Sequence, residues 1–401
     1  MEEIEVPSHF LCPISLQLMR DPVTVSSGIT YDRESIERWL FSCKSNTCPV
    51  TKQSLSDSTD LIPNHALRRL IQAWCTLNVS HGIERIPTPK QPLDRTQITK
   101  LLDQAKKSPQ KHPQCLQKLR SIAYLSQRNR KCLEDAGAVE FLASIINKNE
   151  ASTVEADEAL CLLYLLEISE ASRKKLASNN IEFVESLMNV LNCGNYQSRA
   201  YSVMLMKSIL EVANPSQLTG VRAELFNGVV HVLNDKISHQ ATKAALKLLG
   251  EVCPWGRNRI KAVEAGAVSA LVELLLETVE RRYSELILVV LDQLCRCAEG
   301  RAELLKHGAG LAVVSKKILR VSHVGTDRAV RILSGISRFS GSPRVVQEML
   351  QVGVVSKLCL VLQVETSGKT KERTNEMLKL HSRVWKNSAC IPPHLLSSYP
   401  N

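Results

Sequence analysis

Phe10-Leu11-Cys12-Pro13-Ile14-Ser15-Leu16, then Met19, Asp21-Pro22-Val23, Gly28 and Thr30-Tyr31-Asp32-Arg33, open the chain. Ile36, Trp39 and Leu40 follow at helical spacing, and Cys48-Pro49-Val50-Thr51 comes next with Lys52 and Leu55. Leu61-Ile62-Pro63-Asn64 precedes Leu67, Leu70, Ile71 and Trp74, which share one helical face. A finger built on two zinc ions needs eight ligands in closely spaced Cys and His pairs. Between Leu11 and Pro49 the sequence offers Cys12, Cys43 and Cys48 and no histidine, and neither Cys12 nor Cys48 has a partner two residues away. No metal site is therefore expected. A module this small must then fix its loops by other means. Hydrogen bonds and charge pairs among Asp21, Thr30, Asp32, Arg33, Thr51 and Asn64 are the candidates. Asp32 stands where it could cap the helix holding Ile36 and Trp39, and Asn64 the helix holding Leu67.

Residues 5–79 resemble the U-box domain, an α+β, RING-like fold that uses polar contacts in place of zinc. About a dozen positions agree in order and spacing. The resemblance implies an E3 ubiquitin ligase whose two loops, and the groove between them, hold a ubiquitin-charged E2 enzyme. Carried onto this sequence, Ile14 and Leu16 on the first loop and Pro49 on the second would touch the E2. Trp39 would line the groove. Lys52 stands where many family members carry a cation that bonds both E2 and ubiquitin, though it lacks the forked geometry of arginine. Cys12 and Val23 are motif positions expected to support the fold. In this class ubiquitin passes directly from E2 to a substrate lysine, so no catalytic nucleophile and no cofactor are expected. A thioester mechanism would need a reactive thiol nearby, for which Cys43 and Cys48 are the nearest in sequence.

Gly82, Pro87, Pro89 and Pro92 mark residues 80–95 as a linker, and from 96 to 385 the texture changes to leucine-rich helical patterns. Arg128-Asn129-Arg130 precedes Asp135-Ala136-Gly137-Ala138-Val139, and Arg257-Asn258-Arg259 precedes Glu264-Ala265-Gly266-Ala267-Val268. The two glycines are 129 residues apart, three units of 43. Asn180, Gly308 and Gly353 continue the series, while the copy near Ala223 is weak. A helix often ends on a left-handed residue, which favours Gly and then Asn. The period and the apolar spacing, as in Val139, Leu142, Ile145 and Ile146, predict an all-α solenoid. The unit resembles the armadillo repeat, with the HEAT repeat as the alternative. Residues 386–401 read as a mobile tail.

The chain has 401 residues, a net charge of +11 and 13 cysteines. Scattered cysteines without a secretory signal point to reduced thiols and a cytoplasmic protein, with the nucleus left open. No apolar run is long enough for a membrane span. The basic residues are dispersed and not interleaved with aromatics, so nucleic acid is not an expected partner. Nor is a basic import cargo: Trp255 and Asn258 are too close for the tryptophan-asparagine ladder that such receptors use. The expected partners are an E2, ubiquitin and a protein substrate on the repeats; pairing through the U-box stays open. The arrangement resembles the plant U-box/armadillo ligases. Leu67-Arg68-Arg69-Leu70-Ile71-Gln72-Ala73-Trp74-Cys75 and Gly82-Ile83-Glu84-Arg85-Ile86-Pro87-Thr88-Pro89 resemble the defence- and stress-related subgroup, whose members often restrain immune signalling. A non-enzymatic armadillo scaffold with a degenerate U-box, or a factor that only extends chains, are the competing readings.

Overall fold

The computed structural model describes residues 6–42, 47–55, 61–79, 95–148, 154–179, 181–386, 388, 390–396 and 398–400. Cys43, Asn180 and residues 80–94 of the expected linker lie outside the described residues. Backbone packing divides the chain into two compact units: residues 1–142 with 165–167, and 143–164 with 168–401.

The first unit begins with strands β1 (Pro22–Thr24), β2 (Thr30–Asp32) and β3 (Ile62–Pro63), an antiparallel sheet in the order β2-β1-β3. Val23 pairs with Tyr31 on one side and Pro63 on the other and is fully buried. Gly28, at φ 79°, makes the turn between β1 and β2. Helix α1 (Arg33–Glu37) leaves β2 directly and widens into a π-type turn, Arg38–Ser42, which carries Trp39. Trp39 therefore sits just past the helix on which its spacing placed it. Helix α2 (His65–Leu77) buries Ile71 and Cys75 against Phe10, Met19, Tyr31, Ile36 and Leu40.

One of the two expected caps forms. Asn64 accepts the Leu67 N–H at 3.0 Å and starts α2. Asp32 precedes α1 in an extended conformation but makes no side-chain cap. Its Oδ1 instead accepts the N–H groups of Arg20 and Asp21, at 2.8 and 2.9 Å. Two charge-assisted bonds to the strand-entry turn replace the single bond a cap would give.

Two helices, α3 (Arg95–Lys107) and α4 (His112–Leu125), lead into a series of triplets. The first is α5 (Gln127–Asp135), α6 (Ala138–Lys148) and α7 (Val154–Leu165); the second is α8 (Glu170–Asn179), α9 (Ile181–Cys193) and α10 (Tyr196–Leu210). The third is α11 (Pro215–Thr219), α12 (Ala223–Asp235) and α13 (His239–Val252); the fourth is α14 (Asn258–Glu264), α15 (Ala267–Glu277) and α16 (Arg281–Leu294). The fifth is α17 (Ala298–Lys306), α18 (Gly310–Lys317) and α19 (His323–Phe339); the sixth is α20 (Pro343–Gln351), α21 (Val354–Gln363) and α22 (Gly368–Leu380). Third helices α10, α13, α16, α19 and α22 pack side by side, as do second helices α9, α12, α15 and α18.

Local chemistry repeats with the triplets. Asn195, Ser238, Ser322 and Ser367 cap α10, α13, α19 and α22, each accepting a backbone N–H three residues on. The buried Asn129 and Asn258 donate their amides to Ile122 O and to Val252 O with Leu218 O, which gives the arginine-asparagine motif its reason. Gly137, Gly266 and Gly353 are left-handed at φ 87°, 87° and 75°. Gly308 is not. There the chain leaves α17 through His307 in an extended conformation, and α18 starts two residues after Gly308. The weak copy near Ala223 is explained by α11, a five-residue helix that ends on Gly220 without a left-handed turn.

Residues 386–401 were expected to be mobile, and their described part is packed instead, just after the end of the array. Helix α23 (Ser382–Trp385) buries Trp385, and α24 (Pro393–Leu396) lies against α21. Ile391, Leu395 and Tyr399 are buried, and the Tyr399 hydroxyl donates to Leu378 O at 2.7 Å. These residues recur every four positions, a period that Pro392-Pro393 obscures. No single described helix is long and apolar enough to cross a membrane.

Candidate E2-docking surface

The two segments that begin Cys-Pro fold alike. In Cys12–Gln17 and Cys48–Gln53 the Cys N–H bonds to the Gln carbonyl, at 2.8 Å in both. The Cys carbonyl accepts the N–H of Leu16 or Lys52, at 2.8 and 2.9 Å. Leu16 and Lys52 are left-handed, at φ 55° and 60°. A two-residue bridge closes each loop, Leu11 with Leu18 and Thr47 with Ser54. The underlying pattern is Cys-Pro-aliphatic-hydroxyl-x-Gln, present twice. Sequence reasoning passed over this repeat because it sought ligand pairs and not backbone turns.

Both sulfurs collect hydrogen bonds where a metal finger would hold an ion. Cys12 Sγ accepts the Asp32 N–H at 3.3 Å. Burial works against its ionisation, but N–H groups of Ser15, Asp32 and Ile14 and the Ser15 hydroxyl lower its pKa overall. Cys48 Sγ receives Ser27 Oγ at 3.1 Å, Tyr31 Oη at 3.0 Å and the Thr51 N–H at 3.5 Å. Val50 N–H donates to Tyr31 Oη at 3.3 Å, which turns the phenol proton toward the sulfur. Here too burial opposes ionisation, and the bonds from Ser27, Thr51 and Tyr31 outweigh it, bringing the thiol from 9.0 to about 6. Tyr31 is itself pushed up, by burial first and then by Cys48. Among the described residues no three His, Cys, Asp or Glu side chains converge as metal ligands would.

The expected polar contacts form around this pair of loops. Asp21 Oδ2 takes Arg33 Nε at 2.6 Å, with Arg68 at 3.9 Å from Oδ1. Thr30 Oγ1 meets Thr24 Oγ1 at 2.9 Å and Asn64 Nδ2 at 3.4 Å. Thr51 is itself exposed, and its contribution is to the Cys48 sulfur.

The outer face is apolar. Leu16 is 74% exposed, Val50 52% exposed, and Ile14 and Pro49 are half-buried. Trp39 is half-buried and donates its indole N–H to Thr47 O at 2.8 Å, which ties the π-type turn to the base of the second loop. Lys52 Nζ lies 5.7 Å from the Trp39 ring centroid. Val50 was not singled out from sequence. Its place in the second loop is that of Ile14 in the first, and alignment of the two hexapeptides would have found it. Cys12 and Val23 are buried and do not belong to this face.

The U-box domain family matches residues 6–80, and the plant U-box protein ARM repeat region matches residues 97–401. This chain belongs to the plant U-box E3 ubiquitin-protein ligases with armadillo repeats. E3 ubiquitin-protein ligase PUB23 of Arabidopsis thaliana is 55% identical over 404 residues, covering 100% of this chain and 98% of the relative. E3 ubiquitin-protein ligase PUB22 of the same plant is 51% identical over 433 residues, covering 100% and 99%. A solved structure from work on the interaction between cadherin and β-catenin matches the ligase's fold with a TM-score of 0.63 at 13% identity, covering 84% of this chain and 62% of that one. This U-box ligase thus joins a hydrogen-bonded module to an armadillo array.

Proposed function

We propose that Ile14, Leu16, Pro49, Val50 and Trp39 form the surface that docks a ubiquitin-charged E2, with Lys52 at its edge. The exposure of Leu16 carries the reading. A leucine in the left-handed region costs about 1–2 kcal/mol of backbone strain. Its side chain also forgoes burial, and a fold that bears both at one loop tip is presenting that side chain to a partner. The E2 carries the thioester. The ligase contributes proximity and orientation, so that a substrate lysine attacks in an effectively local encounter. Cys48 is buried under hydroxyl groups, which suits a support and not a ubiquitin carrier. The armadillo array holds the protein substrate, since stacked repeats offer an extended binding face.

The test is autoubiquitination with E1, a panel of E2 enzymes, ubiquitin and ATP. Leu16→Ala and Trp39→Ala are expected to cut chain formation at least tenfold while leaving the module folded. Wild-type rates in both variants would remove the docking surface from this place, and a wild type silent with the whole panel would remove the ligase mechanism. We further infer that the ligase restrains plant immune or stress signalling, supported by the likeness of residues 67–75 and 82–89 to that subgroup. Plants lacking it should show prolonged defence responses; unaltered responses would end that reading.

A further inference from the structure

Charge is divided between the helix rows of the second unit. Helices α10, α13, α16, α19 and α22 carry thirteen Lys and Arg against six Asp and Glu, a net +7. Helices α9, α12 and α15 carry two acids each and no Lys or Arg. Helices α18 and α21 add three lysines and no acid, so the second row as a whole is net −3. In the basic row only Arg199 turns fully inward, to Asp235 at 2.6 Å. The acidic third helix α7 ends the row: its Asp157 accepts from Asn195 Nδ2 and Ser198 Oγ.

Across α10, α13 and α16 the basic row opens into a groove of about 330 Å³. Leu286 and Val289 line its floor, Gly250 leaves room, and Lys207 and Lys247 stand on it with Glu211 and Glu251. Glu211 is already paired with Lys207 at 2.7 Å. Gln293 donates to Gly250 O at 3.2 Å, while its Oε1 is buried with no hydrogen-bond partner. Beside it, the buried Asp292 faces Arg296, Arg328 and Arg331 at 3.3, 3.0 and 3.5 Å. Asp327 faces Arg331 and Arg373 at 3.8 and 3.3 Å. Four guanidinium groups thus share two carboxylates, and Arg328 Nε has no partner.

We propose that this row docks an extended, acidic peptide segment, which is how the array would choose its substrate. The inference rests on the reading of the array as the substrate-holding arm. Two observations select the occupant. The surplus cations require anionic groups. The apolar floor between them takes aliphatic side chains.

The test uses the full-length chain. A phage-displayed random 12-residue peptide library is selected on the wild type, and enriched peptides are synthesised and measured by fluorescence anisotropy. They should be rich in Asp and Glu interleaved with aliphatics, and should bind more weakly as salt rises. The double reversal Lys243→Glu/Lys247→Glu, at two exposed lysines of α13, should weaken them at least tenfold, whereas Lys306→Glu, on α17 outside the row, should not. Neutral or basic selected peptides, an unaffected double reversal, or tighter binding of 12-nucleotide single-stranded DNA would each overturn the proposal. Autoubiquitination by the double-reversal protein separates the two levels. Intact autoubiquitination with no acidic selection sinks the groove alone. Loss in the wild type as well sinks the ligase mechanism beneath it.

Discussion

At the residue scale the informative atom is the sulfur of Cys48. A thiol that ionises more easily in the folded chain than in the unfolded one stabilises the fold above its unfolded pKa, and this contribution is lost as pH falls through its folded value. With a folded value of about 6 against an ordinary 9.0, the window runs from pH 9 down to 6. Wild-type stability should therefore fall across that window relative to Cys48→Ser, by at most about 1.4 kcal/mol per pH unit. Urea denaturation of the two proteins at pH 6 and pH 9 measures this, and parallel curves would show that the sulfur stays protonated. Legibility was uneven at this scale. The residues Asp21, Arg33 and Asn64 could be read as partners because their chemistry allows little else in a small module. Asp32 could be read as a polar contact too, but not its partners, because sequence shows its neighbours along the chain and not the two N–H groups that the fold turns toward it.

At the scale of the element, the turn that separates the first and second helix of each triplet decides how much a glycine matters. Gly266→Ala places a Cβ on a residue at φ 87° and should destabilise the array by about 1–2 kcal/mol. Gly308→Ala, in a turn without positive φ and with open space around the new methyl, should be neutral or stabilising by about 0.4–1 kcal/mol. Thermal unfolding of the two variants distinguishes them, and equal losses would contradict the turn assignment. Sequence made these glycines look alike because each follows a short helix at the same period. Only the extended His307 shows that one turn solves the geometry differently. The repeating helices were legible in the 43-residue period and the apolar spacing, whereas the Asn and Ser caps were not, because such residues stand equally well in any exposed turn. The two loops of the first unit were legible, but not their likeness, because what they share is a backbone turn and residue types, not a hydrophobic period.

At the scale of the molecule, a solenoid must cover its last repeat, because each unit is stabilised mainly by its neighbours. The C-terminal residues do this. Leu395→Ala should destabilise the last triplet by about 2–5 kcal/mol, and Tyr399→Phe by about 1 kcal/mol. Hydrogen exchange should show the loss in α21 and α22 and leave α12 and α13 protected. Protection falling uniformly across all triplets would mean that the array unfolds as one block. The sequence held the necessary signal at Ile391, Leu395 and Tyr399, but two adjacent prolines made a short helix look like disorder.

Adjacent residues of one strand hold both Cys-Pro loops: Asp32 through its backbone to Cys12, and Tyr31 through its phenol to Cys48. The loops are therefore mechanically in series, with β2 as the shared rivet. A partner that seats on Leu16 loads the same three-residue strand that positions Val50, so the two halves of the surface engage together. On the proposed docking surface, an E2 that grips one loop while the other stays slack is disfavoured by the frame itself. Under that proposal, discrimination among E2 enzymes falls on how well they match the pair of loops as a single rigid bite.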